Sequence, residues 1–224
     1  MVSEDQFNAL MTQDIFANVP EAQGLGDSTR GGVYSDHASW AVWKKDTRQG
    51  AQTAANDKSV LASYDLLKDT IHTNAILVGL NSGTHFTSDA SISPWSTFHS
   101  GKRDWFTAQA TSGTPLEGAY MTDLYKGLPT PNGAALRQLF KERGSEYEFQ
   151  VKNAMKAVFE EEMKILGVGS DVPIICFGDD AHEDFNEIFQ GSRKAVKALH
   201  YSAYQYSLEH YVASMRNVIE EISV

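Results

Sequence analysis

Cysteine, long apolar runs and positive charge are all scarce in this chain of 224 residues, and each shortage excludes something. Cys176 is the single cysteine, so no internal disulfide can form. Inside the apolar run "PIICFG" it reads as a small buried hydrophobe. No apolar run approaches the roughly 20 residues that span a bilayer. The opening "MVSEDQFNAL" has neither a basic head nor an apolar stretch, so it does not read as a secretory signal. The expectation is a soluble cytoplasmic monomer with no membrane partner. Lys and Arg number 19 against 29 Asp and Glu, for a formal net charge of −10. That balance argues against a general nucleic-acid coat, because phosphate neutralisation supplies most non-specific affinity. It leaves room for a site-specific enzyme whose basic residues gather at one mouth.

What is present suits a globular core: 42% of residues are hydrophobic and 11% aromatic. Residues 1–56 are mixed in composition and read as an N-terminal extension packed on the same domain. Within them "EAQGLGDSTRGG" (21–32) reads as a loop, and Trp40 and Trp43 as packing anchors. From 57 to 224 the pattern is regular, with no internal repeat or low-complexity tract. Four short apolar runs read as strands: "AILVGL" (75–80), "GAYMTDL" (118–124), "VPIICFG" (172–178) and "AVKALHY" (195–201). Apolar residues recur at helical spacing over 148–166 and 203–222, and Gly167 closes the first of these helices. Strands alternating with helices predict a three-layer α/β/α fold around a mainly parallel, four-stranded sheet.

In such sheets ligands bind outside the carboxyl ends of the strands. Those ends are polar here: Asn81 after the first strand, Thr122 and Asp123 after the second, Gly178 and Asp179 after the third, His200 and Ser202 after the fourth. The geometric expectation is one crevice shared by Asn81 and His200, with Thr122 or Asp123 between them.

Several chemistries find little support. The loop after the first strand, "GLNSG", lacks the spacing of a dinucleotide fingerprint and the Lys-Ser/Thr ending of a P-loop. A plain glycine turn accounts for it as well. "GDDAHEDF" (178–185) gathers carboxylates and an imidazole, yet it opens a helix, where acidic residues favour the N-terminal dipole. No second His or Cys shows metal-ligand spacing, so neither metal nor cofactor is expected. Asp123, His200 and Ser202 are the residue types of a hydrolase triad, but no Gly-x-Ser-x-Gly elbow appears. "PWSTFHSGKRDWF" (94–106) interleaves aromatics with cations, which suits base stacking and phosphate contact or an ordinary packed loop.

Assembled in this order, the residues of about 70–222 resemble the uracil-DNA glycosylase superfamily. "VGLNSG" is similar to the first motif of its mismatch-specific uracil/thymine branch, a Gly-hydrophobe-Asn-Pro-Gly loop after the first strand. "YMTDLYKGLPT" (120–130) resembles that branch's central strand segment. "HYSAY" (200–204) stands where the family carries a His-Pro-Ser motif before the last helix. Ser82 and Tyr201 take the places of the two prolines.

The resemblance implies an enzyme that flips a damaged base out of DNA and cleaves its glycosidic bond without metal or cofactor. By it, the catalytic residues are Asn81, positioning the attacking water or binding the base edge, and His200, donating to the carbonyl oxygen of the departing base. Gly79, Ser82, Gly83, Phe98, Thr122, Asp123, Tyr201 and Ser202 form the implied base pocket, with Phe98 stacking on the base. Lys102, Arg103 and Lys197 are the implied phosphate contacts, and DNA with a damaged or deaminated base is the implied partner. A non-catalytic or nucleoside-binding relative, and an enzyme moved to another small substrate, stand beside this reading. A basic rim would favour DNA, and a closed acidic mouth the others.

Overall fold

The alternating runs fold as strands joined by crossover connections. The computed structural model describes residues 1–25, 32–44, 57–81, 93–99, 101–128 and 130–222. Ser82, Gly83 and the glycine-rich stretch 26–31 lie outside these described residues. Five strands form one sheet: β1 (Ala38–Trp40), β2 (His72–Asn81), β3 (Ala119–Tyr125), β4 (Ile174–Phe177) and β5 (Ala195–Ala198). Their spatial order is β1-β3-β2-β4-β5. The last four run parallel, and β1 pairs antiparallel with β3. Seven α-helices accompany them among the described residues: α1 (Glu4–Thr12), α2 (Tyr64–Leu67), α3 (Asp104–Thr111), α4 (Gly133–Arg143), α5 (Ser145–Ile165), α6 (Gly178–Phe189) and α7 (Leu208–Ile222). None of them is long and apolar enough to cross a membrane.

The architecture is the expected three-layer, mainly parallel one, with a fifth strand in place of four. The extra strand is three residues long and buried at every position, so it shows neither the alternation nor the run by which strands are read. β5 is shorter than expected and ends at Ala198, which places His200 in the turn beyond it.

The pleat sorts side chains between two cores. Ile76 and Val78 of β2, Tyr120 and Leu124 of β3, and Ile174 and Cys176 of β4 face a layer built by α1, α4, α5 and α6. Ala75 and Leu77, Met121, and Ile175 and Phe177 face α3 and α7. The N-terminal segment joins the first core: Phe7 of α1 and Trp40 of β1 lie with their rings 5.0 and 5.6 Å from that of Trp95. Local signals agree with the packing. Ser3 and Gln6 form a reciprocal capping box at α1, and the Asn132 side chain accepts from the Ala135 N–H at the start of α4.

His37, just before β1, is fully buried. Its ring is held well below the ordinary histidine range, first by burial and then by the charge of Lys126. His72 and His200 shift the same way, each chiefly through burial. The unfolded chain, with histidines near about 6.5, therefore takes up protons first as pH falls. Stability from these rings is fully present above about pH 6.5 and is lost as pH falls toward the folded values. Urea unfolding is expected to give a lower free energy at about pH 5.5 than at about pH 7.5, with His37 adding a slope of up to about 1.4 kcal/mol per pH unit. His37→Gln is expected to flatten that slope. An equally steep dependence in the variant would assign it to other groups.

Candidate functional site

The parallel strands end nearly level, with Gly79 opposite Asp123, Asn81 opposite Tyr125 and Phe177 opposite Ala198. Their carboxyl ends open on a crevice of about 610 Å³. Asn81, Asp123, His200, Tyr201 and Ser202 line it. Asn132, the N-cap of α4, Asp179 and Asp180 from the first turn of α6, and Lys197 also line its walls.

Asn81 ends β2 with its amide already oriented. Nδ2 donates to the Thr130 carbonyl at 2.9 Å and to Thr130 Oγ1 at 3.0 Å. A carbonyl can only accept, so the amide nitrogen faces Thr130 and Oδ1 is left as the acceptor. His200 is fixed in the opposite sense. The Ser202 N–H donates to its Nδ1 at 3.2 Å, and Ser202 Oγ lies 2.8 Å from the same atom. A backbone N–H can only donate, so Nδ1 is the acceptor and the neutral ring carries its proton on Nε2. Burial lowers the pKa of the ring, opposed by the nearby Asp180 carboxylate. Near neutral pH the ring is an uncharged donor.

Asp123 and Thr122 separate at the pleat. Asp123 is almost fully buried at the crevice, on the same face as Gly79. Thr122 points into the opposite layer and donates to Glu162 Oε1 at 2.9 Å. Its place in a base pocket is therefore corrected: adjacent residues on a strand cannot serve one side. Glu162 also accepts from Tyr120 OH at 2.9 Å and pairs with Lys126 Nζ at 2.9 Å, and both charged side chains are wholly buried. Lys126 Nζ donates in turn to the carbonyl of Asp123 at 2.6 Å. A buried ion pair thus braces the backbone that carries the crevice carboxylate.

Gly79 is a glycine because of what lies over it. A Cβ there would strike Asp123 Oδ1 and come within 3.0 Å of the Phe98 ring. Phe98 has φ of 68°, a left-handed conformation that strains a bulky residue. It packs beneath the floor with its ring centroid 6.3 Å from that of Phe177. It does not line the crevice, which corrects its assignment as a stacking wall. Of the rings that do line it, Phe177, Tyr201 and Tyr206, Tyr201 is stacked on His200 at 4.8 Å and edge-on to Phe177 at 5.3 Å.

The expected phosphate contacts fare unequally. Lys102 is exposed before α3. Lys197 stands at the rim, but its Nζ lies 2.6 Å from Asp179 Oδ1. Arg103 is engaged elsewhere: Nη1 and Nη2 donate to the carbonyls of Ala203 and Tyr206, each at 2.6 Å. Its assignment as a phosphate ligand is corrected to an internal contact. Sequence reasoning weighed Asp180 only within the carboxylate cluster of 178–185 and passed over Asn132 and Tyr206; all three line the crevice. Tyr204, read in the sequence as part of a helical spacing, is 82% exposed on the same loop. Among the described residues no three His, Cys, Asp or Glu side chains gather as a metal-binding set. Compared with known proteins, the chain matches no family model and no curated protein.

Proposed function

We propose that the crevice hydrolyses the N-glycosidic bond of a uracil-type base flipped out of DNA, as in the uracil-DNA glycosylases that the sequence resembles. The observation that supports this most is the meeting of an oriented amide, a carboxylate and a neutral imidazole donor at the ends of three parallel strands. Cleavage leaves negative charge on the departing base. An N–H already aimed at its carbonyl oxygen stabilises that charge as it forms, without reorganising. His200 Nε2 is that donor. Asp123 and Asn81 Oδ1 accept, which suits them to orient a water toward the sugar carbon and to bind an N–H on the base edge. The water oxygen bonds to that carbon as the bond to the base breaks, and the water's proton leaves through the acceptors. The volume accommodates one base with its sugar, within the range of small-molecule pockets.

A second reading is favoured by one observation. Asp179 and Asp180 stand at the mouth, and the lysine beside them is already paired. That rim disfavours a polyanion and suits a free nucleoside. Purified protein is expected to release base from a panel of deaminated and alkylated oligonucleotides in single or double strands. Release from nucleosides alone would support the second reading. Binding without release from either would leave a nucleoside-binding module.

A further inference from the structure

The loop that carries His200 has no regular structure to hold it. Residues 200–206, "HYSAYQY", contain neither glycine nor proline, and two successive turns shape them. The Ala203 N–H donates to the His200 carbonyl at 3.0 Å, and the Tyr206 N–H to the Ala203 carbonyl at 3.4 Å. Arg103 reaches this loop from about a hundred residues earlier. Its guanidinium donates at 2.6 Å to the carbonyls of Ala203 and of Tyr206, which bound the second turn. The guanidinium carbon lies 4.0 Å from the centre of the Phe106 ring. Phe106 is buried in the core of α3 and α7 and tilted against Tyr211. One planar group is thus seated on the core and forked onto two loop carbonyls, a geometry that lysine cannot reproduce.

We propose that Arg103 is a positioning residue: it holds the 200–206 loop, and through it the imidazole of His200, in register with Asn81 and Asp123. The catalytic consequence rests on the function proposed above, while the clamp itself does not. Charge-assisted donation to two carbonyls fixes the loop more firmly than neutral bonds would. Its bond to the Ala203 carbonyl also anchors the end of the first turn, in which the Ser202 N–H meets His200 Nδ1 and fixes the tautomer. The displacement of a reacting group by about 1 Å is enough to slow a reaction by roughly 100-fold, so a loosened loop acts on turnover rather than on affinity.

Two variants separate the clamp from a phosphate contact. Arg103→Lys keeps the charge and loses the fork, and Arg103→Met loses both. On a uracil-containing duplex, single-turnover rates are expected to fall on the order of 10- to 100-fold in both variants, with DNA affinity and its salt dependence unchanged. Amide hydrogen exchange at 202–206 should quicken by about tenfold or more in both. Nitrogen-15 shifts of His200 should move from one tautomer toward a mixture. If Arg103→Lys matches the wild type in all of these while Arg103→Met alone weakens binding and lowers the salt slope, Arg103 is a phosphate ligand and the proposal fails. It fails equally if exchange and tautomer are unaltered in both. Should the wild type excise no base, quickened exchange with a shifted tautomer still upholds the clamp, and only the glycosylase reading falls. Circular dichroism and thermal melting of each variant establish that it is folded.

Discussion

His200→Ala is expected to slow base excision by about 100- to 1,000-fold, the usual loss for one donor at a developing oxyanion. The loss should appear in the chemical step. In the proposed mechanism the Nε2–H acts on charge that exists only as the base departs, so DNA affinity should stay within a fewfold of the wild type. Asn81→Ala is expected to fall in the same range for a compound reason. It removes the Oδ1 acceptor, and it also frees Thr130 from its two bonds to Nδ2. His200→Gln, which offers a donor at nearly the same reach, should recover part of the rate. Single-turnover kinetics on single- and double-stranded uracil DNA separates binding from chemistry. A rate indifferent to both His200 and Asn81 would end the proposed mechanism.

Lys126→Met is expected to destabilise the fold by about 3–5 kcal/mol, because it leaves Glu162 charged, buried and without its cation. That is a large part of the roughly 5–15 kcal/mol that a domain possesses. Two neutral hydroxyls, Tyr120 and Thr122, still donate to Glu162, which keeps the loss below that of a bare charge. Replacing Lys126 and Glu162 together with methionine should restore part of the stability: it removes the uncompensated charge but leaves the buried Tyr120 and Thr122 hydroxyls without their acceptor. The bond from Lys126 to the Asp123 carbonyl would still be gone, so the double variant should regain stability before it regains activity. Urea denaturation of the two single variants and the double variant measures the coupling. A Lys126→Met protein within about 1 kcal/mol of the wild type would show that water or rearrangement relieves the charge.

The polar residues that close apolar runs were legible in the sequence, because burial and alternation mark where a parallel strand stops. Asn81, Asp123 and His200 were found that way, and they line one crevice. What was not legible depends on register or on distance along the chain. Thr122 and Asp123 are neighbours with the same claim until pairing with β2 decides which one shares a face with Gly79. β1 is too short to carry a period. α4 buries little beyond Leu136 and Phe140, so Asn132, which caps it at the crevice, has no strong helical pattern to announce it. Arg103 sits among aromatics and another cation, a composition that fits nucleic-acid contact. Its partners are backbone carbonyls a hundred positions away, and no side-chain pattern records them.

β5 borders the sheet, pairing with β4 alone among the described residues. A border strand presents free backbone groups on which a strand of another molecule can add. β5 limits this in two ways: it is four residues long, and it turns the exposed Lys197 to solvent, three positions after Lys194. Lysine at such a border discourages edge-to-edge association. By that rule a lysine at 197 disfavours strand addition at this border, whatever the crevice binds. A β-branched residue at 197 would remove the charge and raise strand propensity together, favouring pairs joined through a continuous sheet. Any substitution of Lys197 made to probe nucleic-acid contact needs its sedimentation measured first, because self-association there would occlude the rim and imitate a lost ligand contact.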